Sequence, residues 1–236
     1  MKNETNEKEN PFVNLLVNIV IPVVILLSLT KRIGPEYALI LALLFPAGAF
    51  LYDLVTKKTA NFTSIVGVVS VLLLGVIGVL KLPKEWVAIK EAAVPLIIGI
   101  GVIISLKTKY PLVRKLLYNE KFMDTRRIDH ILKEQKKEKV FDKILVYSTY
   151  MIAGSFLLSS ALNFTLAKIL IRSEPGTEAF NEEIAHMTAL SFPVIALPST
   201  LVMLLALWYL FHSIKKLTGL TLDDLMAEHL KEKTKE

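Results

Sequence analysis

Apolar residues run in six long blocks along the chain, with no alternation of period two and no single stripe of period 3.6. Phe12–Thr30, Tyr37–Val55, Phe62–Leu80, Trp86–Leu106, Ile144–Ala167 and Met187–Phe211 are nearly free of charge. Each is about 19–25 residues long, and a helix needs about 20 such residues to cross a hydrocarbon core of ~30 Å. A helix with water on one side keeps one polar face, whereas these blocks are apolar all round. The pattern predicts an all-α, polytopic integral membrane protein. Its six transmembrane helices form three tandem hairpins over 12–55, 62–106 and 144–211.

The polar intervals complete the layout. Residues 1–11 read as a disordered cytoplasmic N-terminus. Residues 12–212 read as the six-helix membrane domain, including a cytoplasmic loop at 108–143. Residues 213–236 read as a cytoplasmic C-terminal helix. "MKNETNEKEN" lacks a basic leader, and the block after it ends in "SLTKR" without a small-x-small cleavage site, so the first block is expected to stay as an anchor. In the loop, "YPLVRKLLYN" (110–119) gathers Leu112, Val113, Leu116 and Leu117 on one face and offers Arg114 and Lys115 to lipid phosphates. The stretch 124–143 reads as one charged helix, capped by Asp124 or Thr125, with an Ile128–Ile131–Leu132 patch. Thr221 with Asp224 three residues on is a capping box.

Composition agrees. Hydrophobic residues make up 53% of the 236, and mean hydropathy is +0.51, outside the range of ordinary soluble domains. The net charge of +6 reads as a topology signal. With six spans, most Lys and Arg fall on the side shared by both termini, twelve of them between the fourth and fifth blocks alone. The positive-inside rule then places both termini in the cytoplasm, with the basic loop against anionic head groups. Nucleic acid is not the expected partner, because aromatics are sparse and not interleaved with the basic residues.

The even-numbered blocks share a spacing. "EYALILALLFP" (36–46), "EWVAIKEAAVP" (85–95) and "EIAHMTALSFP" (183–193) each run from Glu to a Pro ten residues on. That is about 15 Å of helix, which puts the Pro near midplane. Pro22, Pro46, Pro95 and Pro193 are therefore expected to bend their helices at one depth. Lys90 and Glu91 stand inside the fourth block. Lys90 is expected to snorkel outward, leaving Glu91 to pair with Lys90, Lys31 or Arg32. The alternative is a helix that begins nearer Glu91, with the pair at head-group level. Asn14, Asn18 and Pro22 recur at helical spacing on the first span, as do Ser155, Ser159 and Asn163 on the fifth. His186 lies near the outer end of the sixth. Asn14, Asn18, Glu91, Asn163 and His186 form the candidate intramembrane polar or ligand site. Structural glue between helices is the competing role. Gly67 and Gly75 share a face of the third span and invite close helix approach.

No phosphate loop, dinucleotide fingerprint or zinc-protease motif is present, there is no cysteine, and the four histidines lack metal-ligand spacing. No cofactor, metal or catalytic residue is expected, and the reading is of a non-enzyme.

The runs "VGVVSVLLLGVIGVLKLPKEWVAIKEAAVPLIIG", "YPLVRKLLYN", "AGSFLLSSALNFTLAKIL" and "MTALSFPVI" resemble the bacterial family of small polytopic membrane proteins labelled intracellular septation protein A. The likeness covers roughly residues 60–212. Over nearly the whole chain, "NPFVNLLVNIVIP", "KEAAVPL", "PLVRKLL" and "PGTEAFN" resemble an uncharacterised subgroup sometimes labelled as major-facilitator transporters. The resemblance implies an inner-membrane protein connected with cell-envelope integrity and septation, with division or wall-synthesis proteins as partners. It implies no catalytic residue. The first hairpin, the long basic loop and the tail depart from the broader pattern. The transporter label would require a homodimer, since such transporters have about twice as many spans. Two expectations follow. One is a non-enzymatic envelope protein acting through partners. The other is a small-solute transporter or channel with a midplane site framed by the prolines.

Overall fold

The computed structural model describes residues 16–57, 62–108, 111–118, 120, 123–221 and 224. Every regular element among them is helical. A π turn, Leu16–Val20, leads into α1, Ile21–Ile33. There follow α2 Pro35–Lys57, α3 Phe62–Val79, α4 Glu85–Ser105, α5 Leu112–Leu117, α6 Thr125–Glu134, α7 Glu138–Leu170 and α8 Glu178–Ser191. A second π turn, Phe192–Ala196, joins α8 to α9, Leu197–Thr218. Five helical runs among the described residues are long and apolar enough to cross a membrane: 16–33, 35–52, 85–105, 138–170 and 178–218. The stretch of α3 is free of charged residues.

The described residues gather into two compact units. The first comprises residues up to Val94 together with Ala161–Ile195. Here α1 turns into α2 through Gly34 alone, whose φ of 87° is open to glycine. Pro35 then starts α2, where a missing N–H costs nothing. Ile25 and Leu26 of α1, Leu39 and Ala42 of α2, and Phe180 and Ile184 of α8 form one buried cluster. The Cβ positions of Gly75 and Gly78 on α3 face Leu43 and Leu39 of α2, so the small-residue seam runs through Gly75 and Gly78. Contacts at Gly67 lie outside the described side chains.

The second unit comprises Pro95–Ser160 and the residues from Ala196 on. Val102, Ile152, Ala153 and Ala206 pack together along α4, α7 and α9. Beyond them lies a helical cap. Ile128 and Leu132 of α6 are fully buried with Tyr118, Met123, Phe141, Leu210 and Ile214. Where such groups leave water, each large aliphatic side chain contributes about 1.5–3 kcal/mol. Asp124 caps α6 by accepting from the Arg127 amide at 3.1 Å, as the sequence suggests.

Several expected boundaries move. The first helix continues to Ile33, so Lys31 and Arg32 lie in its last turn rather than in a loop. The 144–167 block sits within the longer α7, and the 187–211 block within a helical run from Glu178 to Thr218. The expected single helix at 124–143 is two, because the chain turns at Gln135–Lys137 with Lys136 at φ 54°. Of the expected helix from 213, residues 213–218 are the end of α9, which stops at Gly219 with left-handed φ 74°; Asp224 is helical again, and most of the rest lies outside the described residues. Thr221 and Asp224 then form the reciprocal capping box: each backbone amide donates to the other's side chain, at 3.1 and 3.2 Å. Residues 1–15 and 225–236 lie outside the described residues, and with them the N-terminal disorder and most of the tail.

The prolines divide into two kinds. Pro193 lies in a π turn and Pro22 just after one, whereas Pro46 and Pro95 sit in uninterrupted α-helix. A proline leaves the carbonyl four residues back without its donor. Widening one turn to π geometry is one way to absorb that mismatch.

Candidate functional site

The densest polar construction in the first unit lies at the Gly34 end. Glu183, one turn and a half into α8, turns its carboxylate onto the segment after α7. Its Oε2 accepts from the amides of Arg172 and Ser173, both at 2.9 Å, and its Oε1 from the Ser173 hydroxyl at 2.9 Å. Lys84 holds the same segment from the other side, donating to the Arg172 carbonyl at 2.5 Å and pairing with Glu174 at 3.1 Å. Asn181 is buried, and its Nδ2 donates to the Pro35 carbonyl at 2.7 Å and to the Thr30 hydroxyl at 3.3 Å. It thereby ties α8 to the α1–α2 turn. Two exposed ion pairs, Lys31–Glu182 at 3.6 Å and Lys81–Glu36 at 2.9 Å, complete the rim. Exposed pairs of this kind contribute about 0–1 kcal/mol each, so the buried amide and the carboxylate with its three hydrogen bonds set the geometry.

The shared Glu-to-Pro spacing dissolves here. Glu36 and Glu85 lie in the first turn of α2 and α4. Glu183 does not begin a helix, because Thr177 caps α8 six residues earlier by accepting from the Phe180 amide. Matching letters hide two different tasks, helix start and loop clamp.

Between the start of α4 and the end of α7 lies a half-open cleft of about 210 Å³, lined by Lys84, Glu85, Ala88, Ala167, Lys168, Ile171 and Arg172. Among the described residues neither Lys168 nor Glu85 makes an ion pair.

One turn further along α4, Lys90 Nζ meets Glu91 Oε1 at 2.6 Å, with side chains 7% and 23% exposed. The helix starts at Glu85, so the pair lies inside it rather than at its tip. Lys90 does not snorkel. Its ammonium finds a carboxylate next door, and its side chain is buried. Of the other candidate residues, Asn18 is exposed within the first π turn, Asn163 is half-buried and engaged in contacts, and His186 is exposed on α8. Asn14 lies outside the described residues. Asn181 and Thr30 escaped the sequence reading. The available signal was an amide one turn past the cap Thr177, on the face that carries Phe180 and Ile184.

In the cap, Tyr118 is buried, its hydroxyl donating to Asp129 Oδ1 at 2.7 Å, with the Thr125 carbonyl at 3.3 Å. Its ring packs on Phe141, centroids 4.8 Å apart. Burial, and then the bond to Asp129, push the phenol well above its usual range. Lys137 Nζ donates to the Leu217 carbonyl at 3.1 Å, and Arg127 pairs with Asp224 at 3.0 Å. Arg114, expected at lipid phosphates, meets Asp142 at 3.3 Å and stays half exposed. The side chain of Lys115 lies outside the described residues. No group of three or more His, Asp and Glu among the described residues is placed to hold a metal ion.

Comparison with family models, with curated proteins and with solved structures gives no match for this chain.

Proposed function

We propose that this chain is a bacterial inner-membrane protein of six spans in three tandem hairpins, with both termini in the cytoplasm. It acts without chemistry of its own, through partner proteins that bind its cytoplasmic helical cap, in support of envelope integrity or septation. The carrying observation is the cap itself. Most of its large apolar side chains are buried together, and α6, the turn after it and the start of α7 turn Lys133, Lys136, Lys139 and Lys143 outward, with Arg126 and His130 beside them paired to Glu120 and Glu134. A folded, basic surface suits an acidic protein partner seated beside anionic head groups. The septation-family likeness of "KEAAVPL" and "PLVRKLL" points the same way.

The test is complementation in cells lacking the chain. A Lys133→Glu, Lys139→Glu, Lys143→Glu variant, inserted at wild-type level, is expected to leave the envelope or division defect in place. Full rescue by that variant would sink the reading.

A second reading, a small-solute transporter or channel, has one specific support. Lys90 and Glu91 form a largely buried ion pair, and Pro95 strips the Glu91 carbonyl of its α-helical donor. Charged groups at such depth mark ion paths. Proteoliposomes that show no ion or solute flux, wild type against Glu91→Gln, would dismiss it.

A further inference from the structure

The half-open cleft between the start of α4 and the end of α7 has a charge pattern that the partner-binding reading leaves unused. Its walls carry three cations, Lys84, Lys168 and Arg172, against one carboxylate, Glu85. Lys84 is already committed to the Arg172 carbonyl and Glu174, with its side chain only 30% exposed. It is therefore a fixed wall. Arg172 is also pre-set: its amide is clamped by Glu183, and its Nε donates to the Ile169 carbonyl at 2.9 Å. That leaves both terminal amino groups of the guanidinium without a partner among the described residues. Lys168, two residues before the end of α7, adds a second unengaged cation. The floor is Ala88, Ala167 and Ile171, too small and apolar to compete for a charge. Trp86, half exposed and next to Glu85, is the side chain that marks a water–lipid boundary.

We propose that this cleft binds a phosphate group, with Lys168 and the free edge of Arg172 as ligands and Glu85 opposite them to accept an ammonium where the phosphate belongs to a zwitterion. Its volume of about 210 Å³ admits a phosphate with a short substituent. Planar guanidinium with an ammonium beside it is the pairing that grips phosphate oxygens. The phosphate can come from a phospholipid head group at the membrane surface or from a free phosphomonoester.

The experiment uses the full chain in mild detergent. Native mass spectrometry counts bound lipid from an equimolar mixture of phosphatidylethanolamine, phosphatidylglycerol and a neutral diacylglycerol. A separate titration with glycerol phosphate is followed by Trp86 fluorescence in a Trp208→Phe background. Lys168→Gln with Arg172→Gln is expected to weaken binding at least about tenfold. Lys168→Arg should retain it. Lys31→Gln, which removes a cation elsewhere on the same rim, should leave it unchanged, as should the thermal midpoint of the folded chain. Retention of phospholipid but not glycerol phosphate assigns the site to a head group, and the reverse assigns it to a free ligand. Equal binding by wild type and the double Gln variant, or an equal loss with Lys31→Gln, would overturn the proposal. The outcome is independent of the cap, whose partner test uses other residues and another readout.

Discussion

At the scale of single residues, the side chains that matter are those whose partners are fixed. Lys90 and Glu91 show it most sharply. Taking either charge away strands the other, which costs about 3–5 kcal/mol for a buried pair, whereas replacing both with apolar groups is often neutral. Glu91→Ala should therefore melt earlier in detergent than Lys90→Met combined with Glu91→Leu. A double variant as unstable as the single would refute the pairing. Tyr118 makes a pH-dependent contribution. Its folded value is raised above the unfolded one of about 10, so the stability is fully present below pH 10. It drains away as alkali ionises the unfolded phenol but not the buried one. Tyr118→Phe should lose about 1 kcal/mol at neutral pH by giving up the Asp129 bond. It should also flatten the decline above pH 10, both read from denaturation of the cap.

Elements meet where side chains are absent. Gly78 of α3 faces Leu39 so closely that an added Cβ would collide with it, while Gly101 of α4 has open space around its Cβ position. Gly78→Ala should destabilise by about 1–3 kcal/mol through overpacking. Gly101→Ala should be neutral or gain up to about 1 kcal/mol from helix propensity, with thermal aggregation in detergent as the common measure. The C-terminal capping box is expected to weaken in acid. The Thr221 hydroxyl and amide, helped by Arg127, hold the Asp224 carboxyl below its usual range. A depressed carboxyl contributes stability above its unfolded value of about 3.9, and that contribution vanishes as pH falls through the lower folded value. Asp224→Ala should remove that contribution, so that the thermal midpoint of the variant changes less between pH 7 and about pH 3 than that of the wild type.

For the whole molecule, the proposed orientation makes a clean prediction, because the chain has no cysteine. Single substitutions Glu178→Cys and Lys133→Cys fall on exposed side chains. In intact cells a membrane-impermeant maleimide should label the first and not the second, and lysis should reveal the second. Labelling of both, or of Lys133→Cys alone, would overturn two cytoplasmic termini.

The helical, membrane-compatible character was legible from the chain alone, because lipid solvent imposes its demand locally. Each stretch must be apolar and must satisfy its own backbone, and both conditions can be read in twenty consecutive letters. The Asp124 cap and the Thr221–Asp224 box were legible for the same reason: their hydrogen bonds close within a few residues. The clamp of Glu183 on Arg172 and Ser173, the Asn181 tie to Pro35 and the cationic cleft were not. Each joins residues ten to about a hundred and fifty positions apart. A charge or an amide in a sequence does not say which distant backbone group it will meet, so packing of the helices alone decided those pairings.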